Sequence, residues 1–165
     1  MTQIEHWSGQ GAIACAESKG GVLVTVNPFD NLVTRGVSPW PSPEILQKLY
    51  ARERFVGKTP EDEAAARQSL GHYCDLQSLN SEDAVTWSVI GPLIYGPPEW
   101  KQYFAAQLCD RLQLPAPTAV ALWLWRRIPH PEKPASTGGP EIDFGLLTDA
   151  CAILGEAKWN SPLGR

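Results

Sequence analysis

The sequence predicts a mixed α/β (α+β) protein, on three observations. Helix-start signals recur at Ser42-Pro43, Thr59-Pro60 and Ser81, each a hydroxyl side chain ahead of a proline or of acids. A continuous apolar run, TAVALWLWRRI at 118–128, is too short for an isolated amphipathic helix and has the length of a buried strand. Two further strand-like segments follow within EIDFGLLTDACAILGEAKW, 141–159, joined by a tight connection near Thr148 to Ala150. Short connections favour antiparallel pairing, and helices gathered ahead of the strands would cover one face.

The elements follow in order. GGVLVTVN at 20–27 gives the one clear strand signal of residues 1–40, bounded by Gly and Asn-Pro. Ser42 caps a helix that opens at Pro43 and runs to about Arg54. Thr59-Pro60 starts a second, EDEAAARQSL, which Gly71 closes. Ser81 caps a third, with Glu82 and Asp83 at the positive end of its dipole and Gly91-Pro92 as its expected interruption. Pro97-Pro98 opens a fourth, whose Trp100, Phe104, Leu108 and Leu112 are expected to share one core-facing stripe. Trp87, Trp123 and Trp125 are expected in the core with Trp100. PHPEKPASTGGP is a loop by composition. Residues 1–75 form an N-terminal region with one strand and two helices, and 76–165 a second region.

Length and composition narrow the function classes. The 165 residues suffice for one core with a small appendage. No stretch approaches the ~18 continuous apolar residues of a membrane span, and MTQIEHWSGQ lacks the basic and apolar layout of a secretory leader. A cytoplasmic protein is expected. A net charge of −4 counts against electrostatic coating of nucleic acid. It counts less against an enzyme whose site is itself made of carboxylates and takes a divalent cation. Cys15, Cys74, Cys109 and Cys151 form no C-x-x-C pair, which argues against a zinc ribbon and for small buried hydrophobes. His6, His72 and His130 are equally scattered. The glycine-rich GQGAIACAESKGG lacks the G-x-x-x-x-G-K-[ST] of a phosphate loop.

The charges Asp143, Glu156 and Lys158 do not fit a plain core. Alternate strand residues share a face, so Asp143, Gly145 and Leu147 point one way, and Ala152, Leu154, Glu156 and Lys158 share a face on the next strand. A turn near 148–150 would fold Asp143 back to within a few positions of Glu156. Convergent carboxylates repel, and a hard cation such as Mg2+ or Mn2+ would hold them together. Lys158 could then act on an attacking water. The chain holds three E-x-K triplets, at Glu17, Glu99 and Glu156. The last alone ends an apolar strand and follows an acid on the preceding strand. The plainer reading is a solvated sheet face with an ion pair worth about 0.2–1 kcal/mol. Arg126 and Arg127 read as strand-end charges or as phosphate contacts, and Trp159 as a candidate for base stacking.

PEIDFGLL followed by AILGEAKW resembles the PD-(D/E)xK nuclease superfamily, the restriction-endonuclease-like fold, over about residues 80–165. Asp143 matches the first aspartate of the motif, Glu156 its second acid and Lys158 its lysine, with Pro140-Glu141-Ile142-Asp143 in place of the literal Pro-Asp. Glu82 matches the glutamate that the family often carries on its first core helix. The resemblance implies a mixed sheet flanked by helices, truncated after the E-x-K strand, since only Trp159 to Arg165 remain. It implies Mg2+ (or Mn2+) bound by Glu82, Asp143, Glu156 and the carbonyl of Ala157, with Lys158 acting on water. The implied substrate is DNA, in restriction, repair or defence, and the implied partner a second subunit or a chain that completes the fold. A non-catalytic module binding nucleic acid or a partner protein is the alternative.

Overall fold

The structure, a computed structural model, describes residues 1–6, 9, 11–18, 21–50, 75–129 and 139–158. It is α+β. Two three-stranded antiparallel sheets carry six strands: β1 (Thr2–Glu5), β2 (Ala12–Glu17), β3 (Leu23–Thr25), β4 (Val120–Arg127), β5 (Glu141–Thr148) and β6 (Ala152–Gly155). The α-helices among the described residues are α1 (Pro43–Tyr50), α2 (Glu82–Tyr95) and α3 (Pro98–Arg111). Among the described residues every ladder is antiparallel, where the family resemblance implies a mixed sheet. The chain divides into two compact units, Met1–Thr34 with Pro39–Ser88, and Arg35–Ser38 with Val89–Arg165.

In the first unit the sheet order is β1-β2-β3. Where one strand was expected there are three. The segment rejected as a phosphate loop forms β2. Strand β3 is held at its end by a 3-10 turn, Asp75–Gln77. Gln77 donates from Nε2 to the Thr25 carbonyl at 2.9 Å, and Asn31 Nδ2 donates to the carbonyls of Leu76 and Ser78 at 2.8 and 2.7 Å. Asn31 and Gln77 are buried, and these bonds offset the cost of removing their amides from water. Val24, Leu32, Ile45, Leu76, Ala84 and Trp87 are the buried apolar residues around them. Trp40 meets Phe29 edge-on at 5.4 Å and tilts against Trp87 at 5.9 Å.

Both described serine caps form. Ser42 Oγ accepts from the Ile45 N–H and Ser81 Oγ from the Ala84 N–H, at 3.4 and 3.0 Å. Gly91-Pro92 does not end α2. A proline removes one N–H, the one that would reach Ser88, and the helix closes later, where the Gly96 N–H donates to the Pro92 carbonyl at 2.8 Å. The expected end of α1 beyond Tyr50, the helix EDEAAARQSL, His72, Cys74, His130 and Trp159 lie outside the described residues.

In the second unit the sheet order is β4-β5-β6, and β4 packs against α3. Leu122, Leu124, Trp125, Leu146, Ala105 and Cys109 are buried. The stripe expected on α3 is not the buried one: Trp100 is 46% and Leu112 50% exposed. A spacing of four overshoots the helical turn, so twelve residues carry such a stripe about 120° around the axis. The buried line runs instead through Ala105 and Cys109.

Candidate functional site

The hairpin β5–β6 positions the predicted site. Phe144 opposes Gly155, Gly145 opposes Leu154, Leu146 opposes Ile153 and Leu147 opposes Ala152. Opposed residues share a face, as do alternate residues of one strand. One face carries the buried Leu122 and Leu146. The other carries Trp123, Gly145, Leu147, Ala152 and Leu154, with Leu147 52% and Leu154 54% exposed. Asp143 follows on β5 with Gly145 on this exposed face, while β6 ends at Gly155, so that Glu156, Ala157 and Lys158 come just past the strand.

Asp143 Oδ2 accepts a hydrogen bond from the Ala157 N–H at 2.7 Å. Asp143 therefore lies against the middle residue of Glu156-Ala157-Lys158. Lys158 Nζ donates to Glu156 Oε1 at 2.8 Å. The Glu156 side chain is 56% exposed and that of Lys158 26%. Screening by water keeps such a pair weak, within about 1 kcal/mol.

Across the sheet, Leu124 pairs with Phe144 and Arg126 with Ile142. Trp125, which stands between them and opposite Asp143, has φ 47°. A bulky side chain in the left-handed region costs on the order of 1–3 kcal/mol, and such strain clusters at functional sites. Trp125 is buried, while Arg126 sets its guanidinium over the Trp123 ring, 5.3 Å from the centroid. Arg127 lies near Glu141, with Nε 3.9 Å from Oε2. Both arginines are thus engaged at the strand end.

Glu82 lies in the first turn of α2 and in the first unit; Asp143, Glu156, Ala157 and Lys158 belong to the second. Its neighbour Asp83 pairs with Lys48 at 3.0 Å. Among the described residues, no three His, Cys, Asp or Glu side chains gather in a metal-holding group. The hairpin end offers two carboxylates and the main-chain carbonyl of Ala157. These are oxygen donors of the class that hard divalent ions take, so the donor chemistry fits Mg2+ or Mn2+.

Two further relationships were not read from the residue pattern. The Trp123 indole lies across Gly145, so a Cβ there would overlap the ring. An interior strand glycine is the signal for such a close approach. Thr118 binds the Asp149 carboxylate through both its N–H (3.0 Å) and its hydroxyl (2.8 Å).

No family model, curated protein or solved structure matches this chain. No helix among the described residues is long and apolar enough to cross a membrane.

Proposed function

We propose that the end of the β5–β6 hairpin is the active site of a metal-dependent nuclease that hydrolyses phosphodiester bonds in DNA. The observation that carries the reading is the Asp143 Oδ2 bond to the Ala157 N–H, which places the first acid against the E-x-K triplet. Asp143, Glu156 and the Ala157 carbonyl would hold the divalent ion. That ion would lower the pKa of a bound water and offset charge on the phosphoryl oxygens. Lys158 Nζ would orient the attacking water and donate toward the phosphate. The water oxygen adds to phosphorus, the bond to one bridging oxygen breaks, and the leaving oxygen takes a proton. Strain at Trp125 opposite Asp143 supports a site at this rung.

A second reading has its own support. Lys158 already neutralises Glu156, as in a sheet surface that binds nucleic acid or a partner protein without cutting. A panel of supercoiled, linear duplex and single-stranded DNA, and RNA, incubated with Mg2+ or Mn2+, separates the two. The nuclease reading predicts DNA cleavage that EDTA abolishes. Retardation of DNA without cleavage supports the binding module instead.

A further inference from the structure

The alternation of β4 breaks at Trp125. Successive side chains of a regular strand point to opposite faces. With Leu122 and Leu124 on the buried face, Trp125 would stand on the exposed one and Arg126 would turn inward. Instead Leu124 and Trp125 are both buried and Arg126 is exposed, and Trp125, at the break, has φ 47°. The Arg126 guanidinium stands over the Trp123 ring, 5.3 Å from its centroid, and that ring lies across Gly145. Arg126 pairs with Ile142 and Trp123 with Gly145. The arginine side chain therefore runs back along β4 past Asp143, which lies between those two partners on β5.

The two arginines at this strand end differ. Arg127 has its Nε 3.9 Å from Glu141 Oε2 and its Nη1 3.5 Å from the Gly139 carbonyl. Arg126 pairs with no carboxylate among the described residues. A ring under a guanidinium fixes the charge in place and leaves its N–H donors, which lie in one plane and match the paired oxygens of a phosphate.

We infer that Arg126 binds a phosphate of the DNA strand, holding it on the exposed face of β4-β5-β6 beside Asp143. This rests on the proposal that DNA meets this face. Charge complementarity argues for that occupant, since Asp143 and Glu156 alone would repel a phosphodiester and Arg126 sets a fixed cation next to them. The left-handed Trp125 thereby has a use: it delivers the arginine to the face that carries Asp143. Trp123 is a positioning residue, acting through the guanidinium above it.

Fluorescence anisotropy of the whole protein with short fluorescein-labelled DNA, single-stranded and duplex, in EDTA and in Ca2+, tests it. Arg126→Ala should weaken binding about tenfold, the scale of one charged hydrogen-bonded contact. It should also make the fall of log K with log salt shallower by roughly 0.7–0.9, the share of one phosphate. Arg126→Gln keeps the stem over the ring and should lose as much. Arg126→Lys keeps the charge without the planar fork, and should hold the wild-type slope while recovering part of the affinity. Arg127→Ala should change both quantities far less, and urea midpoints of the Arg126 variants should stay close to wild type. Unchanged affinity and slope in Arg126→Ala and Arg126→Gln overturn the inference. So do equal losses in Arg126→Ala and Arg127→Ala, or no binding of either DNA by wild type. A parallel cleavage assay with Mg2+ separates this inference from the nuclease reading. If wild type cuts and Arg126→Ala binds and cuts equally well, the inference alone fails. If wild type binds through Arg126 and cuts nothing, the nuclease reading alone fails.

Discussion

Trp123 and Gly145 face one another across β4 and β5, and the indole occupies the space that any side chain at 145 would need. The same device recurs one rung along, where the Phe144 ring covers Gly155. Glycine weakens a strand unless an aromatic neighbour covers it, so each pair replaces a lost side chain with a ring. Trp123 also carries Arg126 over its ring. The exposed face of the second sheet is thereby ordered next to the rung that holds Asp143.

Gly145→Ala should destabilise the protein by about 1–3 kcal/mol, the range for forcing extra atoms into a filled site. Urea titration measures it. Trp123→Ala should remove most of that penalty when the two changes are combined, because the overlap then disappears. Additive losses would show that the ring does not fill the space above Gly145.

Asp143→Ala removes the acceptor of the Ala157 N–H, and a partly buried donor left unsatisfied costs about 1–3 kcal/mol. Asp143→Asn keeps an oxygen there and should cost less. Both substitutions should abolish divalent-dependent cleavage, since the amide lacks the charge that a metal site needs. Equal stability losses for the two would show that the hydrogen bond to Ala157 is not what Asp143 supplies to the fold.

Ser81→Ala deletes the side-chain acceptor at the start of α2. The expected loss is about 1 kcal/mol, seen as a lower urea midpoint with an unchanged slope. An unchanged midpoint would mean that water replaces the cap at no cost.

The Thr118 hydroxyl and then its N–H hold the Asp149 carboxyl below the usual carboxylate range. The unfolded chain therefore takes up this proton first as pH falls. The contribution is complete above the ordinary aspartate pKa of about 3.9 and is lost as pH falls through the lower native value. Urea midpoints of wild type and Asp149→Asn, compared from about pH 6 to about pH 2, should differ by a constant amount at the upper end and converge below about pH 4. A gap that persists to the acid end contradicts this account.

The local signals were legible in the sequence because their partners lie a few residues away. Ser42 and Ser81 cap their own helices, and the run at 118–128 and the hairpin after it carry their own apolar pattern and turn. Strands β1 and β2 carry no such pattern: TQIE has one apolar residue, and AIACAE is built largely of small ones. Their strand state comes from pairing with each other and with β3. Helix α3 misled in a different way, since residues spaced by four drift off a 3.6-residue turn. At the site, the approach of Asp143 to the residues around Glu156 followed from the turn position. The Glu156–Lys158 pair and the contact of Asp143 with a backbone N–H needed side-chain geometry.

The most direct test of the central claim is cleavage of plasmid DNA with Mg2+ or Mn2+ by wild-type and Lys158→Ala protein, side by side. The Lys158 side chain lies near the surface, so its removal should leave the urea midpoint close to that of wild type. The nuclease account predicts nicking or linearisation by wild type that is lost both in Lys158→Ala and with EDTA. Equal cutting by the two proteins, or no cutting by well-folded wild type, contradicts it.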